Sequence, residues 1–332
     1  MKFQRRYKLT VEITKRRELT EAIGPALPDP TFIGPKPSTA QTTTQAIEIR
    51  SPLTLELDIA RSTQSSLNSA TFRVYNLSET NRSLIFQNRF SINDVSGNRK
   101  KVILQAGYET ALNKDDDLST IFVGNLLEAY SYRQGSDVIT YINAQDGALG
   151  AYNSNINQTI RGGTSFRDIA KIIIGGITGI TEGKVGDIQG VSKTSTALNG
   201  NNFYLLKKNY REEVFIDLEK INVLNENEYI KTTNEYIKTT GGKVPLINTD
   251  TGLLGTPQRQ GTDLVMDVIF EPRLQVGQLA EVQSKFNPKF DGQYKIMGLR
   301  HSGIISGAVG GKCTTSLNLF IGYKLLGGLK GV

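Results

Sequence analysis

Leu53-Thr54-Leu55-Glu56-Leu57-Asp58-Ile59, the polar turn Ser65-Ser66-Leu67-Asn68-Ser69 and then Ala70-Thr71-Phe72-Arg73-Val74-Tyr75 form the stretch that decides how this chain folds. Leu53, Leu55, Leu57 and Ile59 alternate with Thr54, Glu56 and Asp58. Successive strand side chains point to opposite faces, so this spacing gives a strand with one buried side. Ala70, Phe72 and Val74 repeat the pattern against Thr71, Arg73 and Tyr75. The two segments read as an antiparallel hairpin.

The period of two continues outward. Val102–Ala106, Ile121–Leu127 and Val138–Ala144 are further strands, separated by turn-rich segments that include Asp94–Asn98 and Arg133–Ser136. Strands at this spacing, with no long helix, predict an antiparallel barrel or sandwich over residues 1–149. One segment breaks the pattern. Pro25, Pro28, Pro30, Pro35 and Pro37 are half of the chain's 10 prolines, and Ser38 to Gln45 is polar and Thr-rich. Proline removes a backbone donor and fixes φ, so residues 25–45 read as a long extended loop within the first unit. Loops of this length either touch partners or stay inert.

Residues 150–240 mix element types. Gly162-Gly163-Thr164 ends a strand, Ser165 and Asp168 make a short capping box, and Phe166, Ile169, Ala170, Ile172 and Ile173 supply a helix face that Gly175-Gly176 ends. Gly183 to Asn202 is rich in Gly, Ser and Thr without a period and reads as a loop or weakly ordered stretch. Asn227–Thr233 (NEYIKTT) recurs letter for letter as Asn234–Thr240. The β-branched Thr pairs favour two short strands turning near Thr233-Asn234, a lengthened surface hairpin rather than a solenoid. Over 241–332 the β pattern returns at Val265–Phe270, Leu279–Gln283, Gln293–Leu299 and Cys313–Phe320, before a Gly-rich tail from Gly322. The expected class is mainly β with an α+β middle region. Two antiparallel β-barrels, at 1–149 and 241–332, flank residues 150–240.

With 332 residues, 38% hydrophobic and 21% charged, the chain has a globular composition and length for two or three domains with real cores. The single Cys313 excludes an internal disulfide and fits a reducing compartment. No apolar run follows Met1-Lys2-Phe3-Gln4-Arg5-Arg6, so no secretory signal is expected. The longest apolar stretch, Ile169 to Ile180, is half the ~20 residues a bilayer span needs and contains Lys171, so no integral membrane association is expected.

A search for catalytic chemistry finds little to work with. His301 is the only histidine, which rules out a two-His metal motif within one chain. A Ser-His-Asp triad would need it, and no G-x-S-x-G elbow is present. A Cys-His pair would need Cys313, on a neighbouring strand segment, and a hydrogen-bonded strand histidine is the better reading. Gly162-Gly163-Thr164-Ser165 could meet an anion at a helix start but lacks the P-loop lysine. Asp115-Asp116-Asp117 lacks calcium-loop spacing and reads as a solvated hairpin tip. Carboxylate pairs for glycoside cleavage are spatial and not legible in sequence. For the net charge of +7, Lys2, Arg5, Arg6, Lys8, Lys15, Arg16 and Arg17 are the best polyanion candidate. With no base-reading module around them, contact would be of the salt-sensitive phosphate type, and a solvated surface is the plainer reading. The expectation is no catalytic residue, no cofactor and no metal ligand.

The segments, taken in order, resemble phage tail hub proteins. Asn68-Ser69-Ala70-Thr71-Phe72-Arg73-Val74-Tyr75-Asn76-Leu77-Ser78 is similar to that family's strand-and-turn signature. Lys101 to Tyr108 (KVILQAGY), Ile121-Phe122-Val123-Gly124 and Asn143-Ala144-Gln145-Asp146-Gly147 follow in the family's order. Gly163-Thr164-Ser165-Phe166-Arg167-Asp168-Ile169 resembles its mid-chain helix start. Thr251–Pro257 (TGLLGTP), Val276-Gly277-Gln278 and Gly292-Gln293-Tyr294-Lys295-Ile296 with His301 and Gly303 complete the set. Their specificity lies in their order across residues 50 to 305. The Pro-rich insertion, the doubled NEYIKTT and the Gly-rich tail depart from the family.

The resemblance implies tube-like barrels and an architecture related to the hub part of type VI secretion spike proteins. It implies a homotrimer whose two barrels per chain make a ring of six, a symmetry adaptor joining the sixfold tail tube to the threefold central spike and lining the DNA exit channel. Implied partners are the tail tube protein, the central spike, baseplate wedge proteins and the tape-measure protein, with DNA only in transit. The implied location is the virion tail tip or baseplate, with assembly in the host cytoplasm. The alternatives are a distal tail or tail-tube-type protein forming a hexameric ring, a cell-wall-degrading enzyme, and a nucleic-acid-binding protein resting on the basic N-terminus.

Overall fold

The computed structural model describes residues 4–17, 41–64, 67–88, 99–109, 118–210, 213–225, 228–230, 244–307 and 311–320. The deciding stretch folds as the alternation requires. Strands β3 (Leu55–Ser62) and β4 (Ser69–Tyr75) pair antiparallel, with Leu57 opposite Phe72. Around them the N-terminal region adds β1 (Arg5–Arg17), β2 (Gln41–Arg50), helix α1 (Glu79–Ile85), β5 (Arg99–Tyr108), β6 (Ser119–Gln134) and β7 (Asp137–Gln145). The middle holds α2 (Ala148–Asn153), β8 (Asn155–Ile160), α3 (Phe166–Gly175), β9 (Thr181–Val185), β10 (Thr196–Asn201), α4 (Asn202–Asn209), β11 (Glu213–Asp217) and β12 (Lys220–Leu224). The C-terminal region contributes β13 (Leu246–Ile247), β14 (Leu253–Gln260), β15 (Asp263–Ile269), β16 (Leu279–Val282), β17 (Gly292–Ile305) and β18 (Cys313–Phe320). The class is mainly β.

Strands of both ends hydrogen-bond into one 13-stranded sheet in the order β14-β15-β18-β17-β3-β4-β7-β6-β5-β1-β2, with β16 on β17 and β13 on β16. The join is the antiparallel ladder between β3 and β17, running from Leu55 opposite Ile305 to Ser62 opposite Gly298. Three cores lie against the elements. The first packs Tyr7, Leu9, Leu57, Phe72 and Phe122 under the N-terminal strands, with Phe72 and Phe122 edge to face at 5.9 Å, and it takes Phe270, Ile305 and Cys313 from the C-terminal region. The second gathers α3 and its neighbours, and the third packs Leu264, Met266 and Leu317 with Phe215 and Leu224 of the middle. Packing therefore crosses both sequence boundaries, at 149 and at 241.

Several local expectations need correction. The basic N-terminal stretch is strand β1, in which Tyr7, Leu9, Val11 and Ile13 are buried between β2 and β5. Arg6, Lys8 and Glu12 occupy alternate positions between them and hide the pattern. Residues 41–45 are not loop but the first half of β2, an edge strand whose threonines suit an extended backbone; residues 18–40 of the Pro-rich segment lie outside the described residues. Gly183 to Asn202 holds the end of β9, paired parallel with β12, and β10, paired antiparallel with β8. Those ladders link residues far apart in sequence, so a local pattern carries no trace of them. In α3 the buried face is Ile169, Ala170, Ile173 and Ile174, while Phe166 is 40% exposed. The cap is as expected, with Ser165 Oγ accepting the Asp168 N–H at 3.0 Å. Of the NEYIKTT duplication, residues 231–240 lie outside the described residues, and Ile230 pairs with Gln278.

Candidate functional site: the open face of the sheet

Opposite the core positions the strands carry a second set of side chains, some of them met by the middle region, where the Leu149 N–H donates to Asn125 Oδ1 at 2.9 Å and the Tyr152 hydroxyl to Gln145 at 3.1 Å. The registers place these in rows that cross both chain ends. One row runs Asp267, Ser316, Arg300, Ala60, Ser69, Gln145, Asn125, and the next runs Ile269, Thr314, Ser302, Asp58, Thr71, Asn143, Glu128. A third begins at Ile304 and continues through Glu56, Arg73 and Tyr141 to Tyr130. The charged residues of these rows are Glu56, Asp58, Glu128 and Asp267 against Arg73 and Arg300. Beyond Asn125 the first row continues to Lys101 and Glu12, and β1 and β2 add Arg6, Lys8, Glu48 and Arg50, so the face carries both charges in near balance.

Both arginines of these rows are paired with carboxylates. Arg300 Nε and Nη2 donate to the Asp58 carboxylate at 2.7 and 2.6 Å, and hydrogen bonding to Asp58 holds the guanidinium charged more firmly than usual. Arg73 Nη1 donates to Glu56 at 2.6 Å, and Ser316 Oγ donates to Asp267 at 2.6 Å. At one rim the polar rows give way to tyrosines. Tyr130 stacks near Tyr141 at 5.0 Å and near Tyr132 at 6.2 Å, while Tyr75 reaches Glu56 at 3.4 Å.

Beneath the sheet lies a buried polar seam that fixes it to the middle region. Arg61 follows Leu55, Leu57 and Ile59 on the inward side of β3, and its side chain is 1% exposed. Its Nε and Nη2 donate to both oxygens of Asp217 at 2.8 and 2.6 Å. Asn68 Nδ2 donates to Asp217 at 3.0 Å and to the Ile216 carbonyl at 2.8 Å. A buried charge needs such a complete set of partners to be tolerated. The β11–β12 turn follows directly, with positive φ at Leu218 and Glu219, and the Glu219 N–H donates to Asp146 at 3.0 Å. Burial first, then the charge of Asp217, pushes the Asp146 carboxyl up to about 8. The sequence search passed over this seam. An arginine at an inward strand position was the available signal, because it demands a buried acid.

The residues weighed for chemistry fall elsewhere. His301 is fully buried on β17, its Nδ1 2.8 Å from Thr315 Oγ1 and its ring edge-on to Phe270. Burial, reinforced by Arg61, pushes its pKa down to about 3, so it is neutral and shut off from solvent. Cys313 is buried on β18, and burial pushes its thiol up to about 11. At Gly162–Ser165 the strand-like segment 190–192 occupies the place of an anion: Gly163 N–H donates to Ser192 O at 2.7 Å and Phe166 N–H to Gly190 O at 3.1 Å. In β1, Arg6 pairs with Glu109, Lys8 with Glu48 at 3.1 Å, and Arg5 donates to the carbonyls of Ile304 and Gly311. Asp115–Asp117 and Lys2 lie outside the described residues, as do the side chains of residues 15–17. Among the described residues no cluster of three His, Cys, Asp or Glu side chains could hold a metal ion, and no helix is long and apolar enough to cross a membrane.

The architecture is shared with proteins of phage tails and of the type VI secretion system. A tail protein from Neisseria meningitidis superposes with TM-score 0.52 at 10% identity, over 82% of this chain and 93% of that one. The 43 kDa tail protein of prophage MuSo2 from Shewanella oneidensis gives 0.50 at 9% identity, again over 82% and 93%. The E. coli c3393 protein, a type VI secretion component, gives 0.50 at 10% identity over 81% and 74%. A sequence search among curated proteins finds no match. The fold is thus the β-rich one seen in phage tail proteins. Residues 38–303 match the family described as baseplate hub gp41, and the chain belongs to that family.

Proposed function

We propose that the chain acts as a trimeric hub of a phage baseplate, a symmetry adaptor between the sixfold tail tube and a threefold central spike, with the open face of its sheet lining the DNA exit channel. The observation that carries this is the internally ion-paired face, Arg300 with Asp58 and Arg73 with Glu56, that runs across strands from both ends of the chain. DNA is a dense polyanion, so a wall whose cations are already held by neighbouring carboxylates lets it pass without adhering. Two β-rich units per chain, near 1–149 and 241–332 around the middle region, give a trimer six comparable positions, and cyclic symmetry repeats one contact around a closed ring. The tube protein, spike, wedge and tape-measure proteins are the partners this position requires, and assembly takes place in the host cytoplasm.

The test is cryo-microscopy of assembled tails. Three copies per tip with Asp58, Glu128 and Arg300 facing the axis support the hub, while six copies in one ring would favour a distal tail or tail-tube-type protein. We also infer that the hub is not a catalyst. His301→Ala should lower thermal stability and leave cell-wall suspensions exactly as turbid as the parent protein does, and lysis abolished by mutating an acidic pair would sink this inference.

A further inference from the structure

The middle region contains an open strand edge inside a groove. β8 and β10 form a sheet of two strands only, so β10 has a ladder on one edge and, among the described residues, no strand on the other. A groove of about 620 Å³ runs along it. Thr196, Ala197, Leu198 and Asn199 all line this groove. Strand side chains alternate between faces, so four consecutive residues can share one groove only when the strand's edge, with its N–H and C=O groups, is turned toward it. Natural edges are usually blunted by proline, inward charge or a bulge. The sequence TALNGN of β10 has no proline and no charge, and its register with β8 is regular.

The opposite wall is apolar at its mouth. Phe166, at the first turn of α3, is 40% exposed, and Ile188 and Leu205 line the groove with it. The only charged side chain on the lining is Lys208, near the end of α4, which has no ion-pair partner among the described residues.

We propose that this groove binds an extended segment of a partner protein by strand addition to β10, with an apolar side chain of the segment against Phe166 and a carboxylate against Lys208. Main-chain hydrogen bonds to β10 supply register, and the apolar pocket and the lysine supply choice of sequence. The groove's size is ordinary for a bound ligand. A small molecule could occupy its volume but would leave the row of backbone groups unpaired, which is why the chemistry favours a strand. The segment expected is β-prone, with Asp or Glu close to Val, Ile, Leu or Phe. The proposal stands independently of the channel.

The test is a bead-bound library of random twelve-residue peptides screened against the full chain. Enriched peptides should share the apolar-acidic pattern and should slow amide exchange at residues 196–199. Lys208→Glu and Phe166→Ser, both at exposed positions, should each weaken binding by about tenfold or more, with thermal melting confirming that each variant folds. The proposal fails if no peptide rises above a scrambled pool, if binding ignores both variants, or if protection falls away from β10. Concentration-dependent self-association that peptides cannot displace would instead make a second copy the occupant, and that also overturns it.

Discussion

Arg61 shows how much one side chain decides. Its strand neighbours facing the same way are Leu55, Leu57 and Ile59, and only the bidentate bond to Asp217 makes its charge tolerable there. Arg61→Ala should leave Asp217 buried without its partner and cost about 3–5 kcal/mol in urea unfolding. Arg61→Met combined with Asp217→Leu should cost clearly less than Arg61→Ala alone. Asp146 gives a pH prediction. Its carboxyl is raised from 3.8 to about 8, so the folded chain keeps a proton that the unfolded chain releases. That stabilising contribution is complete below about 3.8 and is lost as pH rises toward 8. Asp146→Asn keeps an oxygen for the Glu219 N–H and removes the titration. The melting-temperature advantage of the variant over the parent should therefore grow between pH 4 and pH 8, and a constant difference would refute the assignment. Gly303, which the family resemblance singled out, has φ 140° and sits so close to the Lys312 carbonyl that a Cβ would collide with it. There glycine is a packing requirement.

Elements differ in how openly the sequence announces them. β3 and β4 are half-buried strands, so their alternation is clean. β1 follows the same rule, but its outward positions carry Arg6, Lys8 and Glu12, and the charge invited a different reading. α3 was legible from its cap and its Gly stop, whereas its true buried face turns toward Ile174 and away from Phe166. The reason is packing: the helix orients toward the second core, and the 190–192 segment crosses its start. Ser165→Ala should cost about 1 kcal/mol, the usual worth of an N-cap, read by thermal melting. Phe72→Ala removes a ring with no exposure that meets Phe122 edge to face, and about 3–5 kcal/mol should be lost.

For the whole molecule, the consequential feature is a single sheet that carries both ends of the chain and presents one open face. Its cations are held in pairs, Arg300 with Asp58 and Arg73 with Glu56, so its charge is close to balance although the whole chain is at +7. Asp58→Lys combined with Glu128→Lys should turn the face cationic and slow DNA ejection from otherwise intact particles. Raising salt should restore part of the rate, because counterion release weakens phosphate contacts. Ejection that is unchanged in particles shown to contain the variant would argue against a channel-lining role. The same substitutions should change unfolding free energy little, because both residues are partly exposed.

The sequence by itself determined the class, the faces of half-buried strands such as β3 and β4, the α3 cap and the order of segments that resembles the family. Each of these is a local pattern, set by the two-residue period of a strand or by the orphan N–H groups at a helix start. Tertiary structure alone decided that β3 pairs with β17, that Asp217 meets Arg61, and that β10 leaves an edge open in a groove. Alternation tells which side of a strand is buried but not which strand lies beside it. A buried arginine likewise announces that it needs an acid without saying from which distant turn that acid will come. Neighbour and register follow from how three cores fill together, and that choice is made by packing across residues some two hundred positions apart.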